Sequence, residues 1–397
     1  AMDPEIPTLA GRFRAAGFAT GGLVFDCTWL SPRWGFNKGF DNYRVTRWRA
    51  ARQARAASRW IAAHREEPFF FFLHTFEPHS DFKVLPYEAP GLTRRTIAEN
   101  FGVHGFGCRG GFCSSKFLNA LTSGTIAGEP EDTRILRATY DAGVEYVDRS
   151  LGEFFDSLRS AGLWDNLMVI VTADHGEEFG EHGGFSHDSL YDEVLRVPLL
   201  VKWPGGDRGG SVNEVLTSSV DLAPTLLSDA GLSVDGLPGT HLHRRRGDEP
   251  VYSGTLSRVV VDGRFKGIFG DEFDLRELYD LAADPEETVN LAELDPDRDL
   301  RLERLLRDQK RQALALYRLI GSKEMTGEVE LLFGRRPAVV EHDAVVGPRL
   351  HPGDVLFRHA QHVKEHVGRK IVGERGHNVS LSPLDERINA CVDHAMA

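Results

Sequence analysis

Met168 to Val201 reads MVIVTADHGEEFGEHGGFSHDSLYDEVLRVPLLV, three histidines and a crowd of carboxylates between two apolar runs. LMVIVTA, starting at Leu167, has the composition of a short buried strand. Placed as a strand, it leaves Ala173-Asp174-His175-Gly176 at its carboxyl end. In open α/β sheets that edge is where ligands bind. A carboxylate and an imidazole on adjacent residues can both turn toward one metal ion there, and Gly176 permits a tight exit. Asp oxygen with His nitrogen suits a divalent cation such as Ca²⁺, Mn²⁺ or Zn²⁺. The plainer alternative for a bare Asp-His-Gly is a strand-end aspartate capping the next helix beside a surface histidine.

Before this stretch, Val144, Val147, Leu151, Phe154 and Leu158 recur at three- and four-residue spacing. They make one apolar stripe on an amphipathic helix predicted over about Arg134 to Ser160. IPTLAGRFRAAGFATGGLVFD predicts a helix ended by Gly17 and then a strand. RAARQARAASRWIAAHREEP and FFFFLHTFEPHSDF repeat that order, the second as a buried strand. Helices alternating with apolar strands predict an α/β sheet covered on both faces. Residues 91–133, rich in Gly, Ser and Thr, read as a long surface excursion. Texture changes after about Arg244: VVVDGRFKGIF is a hairpin signal with Asp262-Gly263 at the turn. DLRLERLLRDQKRQALALYRLI is an amphipathic helix that would lie across the small sheet. The predicted division is a core over 1–244, a sheet-plus-helix unit over 245–335 and an irregular extension over 336–397.

The bulk numbers exclude more than they specify. At 397 residues, 41% hydrophobic and 27% charged, the chain can bury a large core. A net charge of -12 argues against non-specific nucleic-acid binding. No apolar run approaches the ~20 residues of a membrane helix. Cys27, Cys108, Cys113 and Cys391 have no metal-knuckle spacing, and a small Cys108–Cys113 disulfide is allowed without being demanded. No secretory leader is visible, and cellular location stays open.

TADHGEEFGEHG, followed by His187, LYDE and RVPLLVKWPG, resembles the metal-site segment of the sulfatase family in the alkaline-phosphatase superfamily. The likeness extends in the family's order over about residues 6–320. PTLAGRFRAAGF and GFNKGFDNY are similar to the segment after the nucleophile, and FFFFLHTFEPHSDF to a strand ending in an acidic-Pro-His loop. YDAGVEYVDRSLGEFFDSLRSAGLWDNLMVIVTADHGE matches helix, strand and metal site together. SSVDLAPTLLSDAGL and ELYDLAADPEETVNLAE resemble the core's closing helix and a small carboxyl-terminal unit. The fold this implies is a three-layer α/β/α sandwich of alkaline-phosphatase type with a smaller α+β subdomain.

Carried over by position, Asp174 and His175 match two metal ligands for one divalent ion, Ca²⁺ first and Mn²⁺ or Zn²⁺ as alternatives. His79 matches a histidine that contacts the sulfate or phosphate and assists the leaving group. His187 falls where many members place a lysine contacting the same anion. An imidazole can donate to anionic oxygens or supply a proton to a departing alkoxide. Glu181 and His182 are expected to orient the site, whereas His74 and Glu77 are expected to serve packing and the loop.

The family's nucleophile is a formylglycine matured within Cys/Ser-x-Pro-x-Arg, and an acidic pair on its first strand completes the metal shell. Neither is found here: none of the nineteen prolines has Cys, Ser or Thr two positions before it. A fragment of a longer gene is the first expectation. A shortened protein whose AMDP start is a cloning scar, or a degenerate non-catalytic relative, are the others. Loss of an interior strand predicts a slot or an exposed strand edge. The expected parent activity is hydrolysis of a small-molecule or glycan sulfate ester. A phosphodiester or phosphonate monoester hydrolase and a non-catalytic binding protein are the alternatives. As given, the chain is expected to be inactive.

Overall fold

Thr8 accepts a hydrogen bond from the Gly11 amide and starts α1 (Leu9–Ala15), which closes at Gly17 with φ +87°. The computed structural model describes residues 7–320, apart from 28, 81–84, 105, 255–257 and 271–274, together with 356–357. After α1 come β1 (Ala19–Phe25), β2 (Asn42–Thr46), α2 (Ala50–Ala63) and β3 (Phe69–His74). The three strands form a parallel sheet in the order β2-β1-β3, with Ala19 opposite Phe69 and Val24 opposite His74.

Strand geometry sends alternate side chains of β3 to opposite faces. Phe69, Phe71 and Leu73 pack under α2 and α5 (Pro130–Ser160), against Ala57, Ile61, Phe154 and Leu158. On the other face Phe70 stacks on Phe13 of α1 at 4.8 Å. β6 (Val169–Thr172) lies in the same layer, because Val169 joins the cluster that covers β3. α6 (Asp192–Leu195), β7 (Leu199–Lys202), β8 (Thr217–Ser218) and α7 (Leu222–Asp229) follow, and α7 packs beside α1. The core is therefore an α/β/α arrangement.

The sheet, however, is in two pieces. β6 pairs antiparallel with β7, Val169 opposite Lys202, and no hydrogen-bonded ladder joins this pair to β3 among the described residues. FFFFLH and VIVT, expected as buried strands, are accordingly only half-buried, with Phe72 38% exposed. An apolar run becomes fully buried only when both of its edges and both of its faces are covered, and among the described residues one edge of each strand carries no ladder.

The expectation of a surface excursion over 91–133 is also corrected. α3 (Arg94–Phe101), the hairpin of β4 (Cys108–Arg109) with β5 (Phe112–Cys113), and α4 (Ser115–Thr122) are packed. Ile97, Phe117, Leu118 and Leu121 form a dry cluster with Leu85, Tyr87, Ile135 and Leu136. The glycines and serines mark the turns of this unit, while its sparse apolar residues all face inward. A Cys108–Cys113 disulfide closes the hairpin.

The carboxyl-terminal unit is a four-stranded antiparallel sheet, ordered β12-β11-β10-β9, of β9 (Val251–Ser253), β10 (Val259–Asp262), β11 (Phe265–Phe269) and β12 (Arg276–Asp280). Asp262 and Phe265 are the last pair of the β10–β11 hairpin. α8 (Pro296–Ile320) lays Leu302 and Leu306 on Val260, Phe269 and Leu278. The opposite face, with Val259, Val261 and Ile268, packs on Leu195 of the core. Residues 336–397 lie outside the described residues except for β13 (Leu356–Phe357), which pairs antiparallel with β8. No helix among the described residues is long and apolar enough to cross a membrane.

One contact docks the exit of β6. The Gly176 amide donates to the Val194 carbonyl at 2.7 Å and the Glu177 amide to that of Glu193 at 3.0 Å. The approach is so close that a Cβ on Gly176 would lie 2.0 Å from the Glu193 carbonyl oxygen, so any side chain there forces backbone apart.

Two outcomes are expected. Strand edges without a partner template association, so the chain should self-associate in a concentration-dependent way. Sedimentation velocity showing a monomer at all accessible concentrations would oppose this. Gly176→Ala should destabilise the chain by about 1–3 kcal/mol, the usual cost of overpacking. In a denaturant melt, a midpoint equal to that of the parent would show that the α6 contact is looser than described.

Candidate functional site

The ends of β3 and β6 carry the residues singled out from sequence. Beyond β3, the Thr75–Ser80 turn contains a cis Glu77–Pro78 bond, and the His79 amide donates to the Phe76 carbonyl at 2.8 Å. The His79 ring stacks on Phe76 at 4.2 Å, and Phe76 stacks on Phe25 at the end of β1 at 4.7 Å. Two strands thus hold His79 through a column of aromatic rings.

Beyond β6 the chain loops out and returns, with the Glu178 amide on the Ser186 carbonyl at 2.7 Å. That return brings His187 over His175, ring centroids 4.0 Å apart. His79 meets both, at 5.8 Å from His175 and 5.1 Å from His187. One ligand-capable nitrogen from each of the three rings lies within 4.8 Å of the other two.

The outward nitrogens are committed. His175 Nδ1 is 2.8 Å from the Gly176 carbonyl oxygen, which only accepts, so Nδ1 carries the proton. His187 Nδ1 is 3.1 Å from Oε2 of Glu177, and the Tyr87 hydroxyl donates to Oε1 of the same carboxylate at 2.9 Å. Glu177 and Tyr87 are both buried, and burial, then the Glu177 charge, pushes the Tyr87 hydroxyl well above its ordinary pKa. Tyr87 therefore stays a donor. The sequence reading passed over Glu177, because one of two adjacent glutamates in HGEEF carries no distinguishing signal.

Asp174 stands beside this cluster, its Oδ1 3.8 Å from His175 Nε2. Although its side chain is 77% open to solvent, the packing around it is the largest single influence on its carboxyl and pushes the pKa up. The neighbouring imidazoles of His175, His74 and His79 hold its carboxyl below the ordinary value. An anionic carboxylate open to solvent and a histidine presenting Nε2 are a donor pair that fits a divalent cation. His74, expected to serve packing, ends β3 within the electrostatic reach of Asp174, and burial lowers its pKa. Its Nδ1 is buried with no hydrogen-bond partner.

Glu181 and His182 do not touch the three rings. Glu181 pairs with Arg137 on α5 at 2.5 Å. His182 pairs with Glu193 of α6, lies 3.3 Å from the Glu287 carbonyl and stacks on Tyr191 at 3.6 Å. His182, Glu193 and Glu178 form a second group of potential metal ligands. Burial, then the like charges of Glu193 and Glu181, push the Glu178 carboxyl up to about 7. Glu77 is buried facing Arg49 at 3.6 Å, and burial raises its pKa.

The sulfatase family model matches residues 5–232. Choline-sulfatase of Rhizobium meliloti is 31% identical over 178 residues, 41% of this chain and 34% of that protein. PehA of Trinickia caryophylli, a multifunctional alkaline phosphatase superfamily protein, is 29% identical over 272 residues, 57% of this chain and 52% of its own. The chain thus spans from about a third to about half of these relatives. Among solved structures, the putative sulfatase YidJ of Bacteroides fragilis superposes with a TM-score of 0.60 at 18% identity, covering 78% of each chain. Phosphonate monoester hydrolase from Silicibacter pomeroyi gives 0.56 at 19%, over 79% of this chain and 81% of its own. These likenesses show the alkaline-phosphatase-like fold, and with a family match across more than half of its length this chain belongs to the sulfatase family.

Proposed function

We propose that the complete protein hydrolyses organic sulfate esters with the help of a divalent cation. The observation that carries this reading is the meeting of His79, His175 and His187 beside Asp174 at the carboxyl ends of β3 and β6. Asp174 and His175 would hold the ion, which when bound supplies Lewis-acid stabilisation of charge on the ester oxygens. His79 and His187 would face the anion. His187, held through Nδ1 by Glu177, would donate from Nε2 to a sulfate oxygen in its doubly protonated form. His79, carried on the aromatic column, would pass a proton to the departing alkoxide, work typical of a positioned imidazole. The family's nucleophile motif does not occur in this sequence, so attack on sulfur needs a group from outside it.

The substrate would be a small-molecule or glycan sulfate. Relatives named choline-sulfatase and N-acetylglucosamine-6-O-sulfatase support this class. A phosphonate monoester or phosphodiester is the second reading. His175 is compatible with it, because the resemblance places histidine there in phosphonate and phosphodiester hydrolases as well as in bacterial sulfatases. The fold neighbours named phosphonate monoester hydrolase agree.

The test is a steady-state assay on aryl sulfate and aryl phosphonate with Ca²⁺ or Mn²⁺, using two proteins. The chain alone should turn over neither ester. A chimera with the Cys-x-Pro-x-Arg strand of a sulfatase relative joined ahead of Pro7 should hydrolyse the sulfate. In that chimera His79→Ala should lower kcat by roughly 10²–10⁴-fold, the usual contribution of a positioned acid. Asp174→Ala should abolish the metal response. Turnover by the chain alone, lost on His79→Ala, would show that the nucleophile has been misplaced. A folded chimera preferring the phosphonate would overturn the sulfate assignment.

A further inference from the structure

We propose that His79, His175 and His187 form a three-imidazole site for a borderline transition-metal ion of the Zn²⁺ class, anchored from behind by Glu177. This concerns the same rings as the hydrolase reading but does not depend on hydrolysis. It also names a donor set different from the Asp174–His175 pair.

Three observations lead to it. The first is proximity: three ring nitrogens from three separate segments lie within 4.8 Å of one another. Tetrahedral Zn²⁺ with Zn–N bonds of 2.0–2.1 Å places its donors roughly 3.4 Å apart. The nitrogens need close by at most about 1.4 Å, within reach of side-chain rotations.

The second is the outer arrangement. Metal-ligating histidines nearly always give their other ring N–H to a carbonyl or carboxylate, which sets the tautomer and raises the basicity of the ligand nitrogen. His175 Nδ1 donates to the Gly176 carbonyl at 2.8 Å and His187 Nδ1 to Glu177 at 3.1 Å. Each commitment assigns the ligand role to Nε2. Glu177 is held in turn by the Tyr87 hydroxyl at 2.9 Å, and its side chain is only 2% exposed, so it does not swing to solvent.

The third is donor chemistry. Three imidazoles are nitrogen ligands of intermediate softness, which suit Zn²⁺, Cu²⁺ and Ni²⁺. Ca²⁺ asks for six to eight oxygens, and the adjoining Asp174 offers one carboxylate. On this donor set the borderline metal should win. An ion so held also engages His79 and His187, the rings that would otherwise meet the ester anion, so it should exclude sulfate.

The Glu178, His182 and Glu193 group is the competing site, and it serves as the internal control. There the His182 nitrogen already pairs directly with Glu193, so an ion would have to displace that contact.

The experiment is calorimetric titration of the tag-free 397-residue chain with Zn²⁺ and with Ca²⁺, beside visible absorption of its Co²⁺ form. Seven further histidines lie in residues 336–397, so stoichiometry alone does not decide and variants must. Zn²⁺ should bind tighter than Ca²⁺ by more than about a hundredfold, given the nitrogen donors. Co²⁺ should show the intense bands of a four-coordinate site. His187→Gln and His79→Gln, which keep bulk and polarity, should each remove those bands while melting like the parent. Glu177→Gln should weaken Zn²⁺ by roughly 10–100-fold. His182→Ala should leave both signals in place. The proposal is overturned if Ca²⁺ binds as tightly as Zn²⁺, if the His79 and His187 variants keep the Co²⁺ bands, or if His182→Ala removes them. The chimera assay, run with Ca²⁺ or Mn²⁺ and without Zn²⁺, tests hydrolysis separately from these outcomes.

Discussion

The close approach of Gly176 to the Glu193 carbonyl sets the geometry of everything around it. Two backbone hydrogen bonds, from the Gly176 and Glu177 amides, dock the exit of β6 against α6 with no room for a side chain between them. His175 on one side of that contact and Glu177 on the other are then placed by backbone alone. His175 bonds back to the Gly176 carbonyl, and Glu177 reaches Tyr87 and His187. From α6 the same contact continues outward, because Asp192 turns its carboxylate to Lys266 of the carboxyl-terminal unit and Glu193 holds His182. That peptide contact sets His175 and Glu177, while His79 reaches them on the aromatic column of Phe76 and Phe25.

The outward branch of this network is a buried charge. Lys266 of β11 is fully buried, 3.0 Å from Asp192 and 2.7 Å from Glu287. Glu287 also accepts from the Asp192 amide at 2.6 Å, and its carbonyl meets His182. Removing an ammonium from water costs several kcal/mol, repaid only by good geometry and satisfied hydrogen bonds. Two carboxylates meet that condition here. Such a pair adds little net stability, yet it accepts only one registration of the small sheet on the core. A one-residue slip of β11 would send Lys266 to the α8 face among Val260, Leu302 and Leu306.

Legibility followed the reach of each signal. α5 was visible because its apolar stripe is long, although Val144 of that stripe is 42% exposed, and the β10–β11 hairpin because Asp-Gly demands one kind of turn. His79, Asp174, His175 and His187 were visible because each sits at a strand end or in a motif a few residues long. Glu177 was not, since its partner Tyr87 lies ninety positions earlier and no local spacing links them. Likewise His182 belongs to Glu193 and Glu287, which only tertiary packing brings together. The packed nature of residues 91–133 was hidden for a related reason. Their apolar residues are few, and their common inward face emerges only with Leu85, Tyr87 and the start of α5 on the other side.

The half-burial of FFFFLH and VIVT was invisible for a deeper reason. Composition reports that a strand prefers burial; it does not report what neighbour covers it. β3 and β6 share the cover of α2 and α5, and their carboxyl ends lie close enough for His74 and Asp174 to feel one another. Yet no ladder joins them among the described residues. The consequences for the two groups are opposite: burial keeps His74 toward its neutral form, whereas Asp174 stands 77% open with its charge favoured. An open, anionic carboxylate beside imidazoles, accepting from the His175 amide at 3.2 Å, is a poor packing element, since most of its side chain faces solvent. As one ligand at the edge of a larger site it makes sense, because the solvent-facing oxygens are the ones that further cation contacts would need.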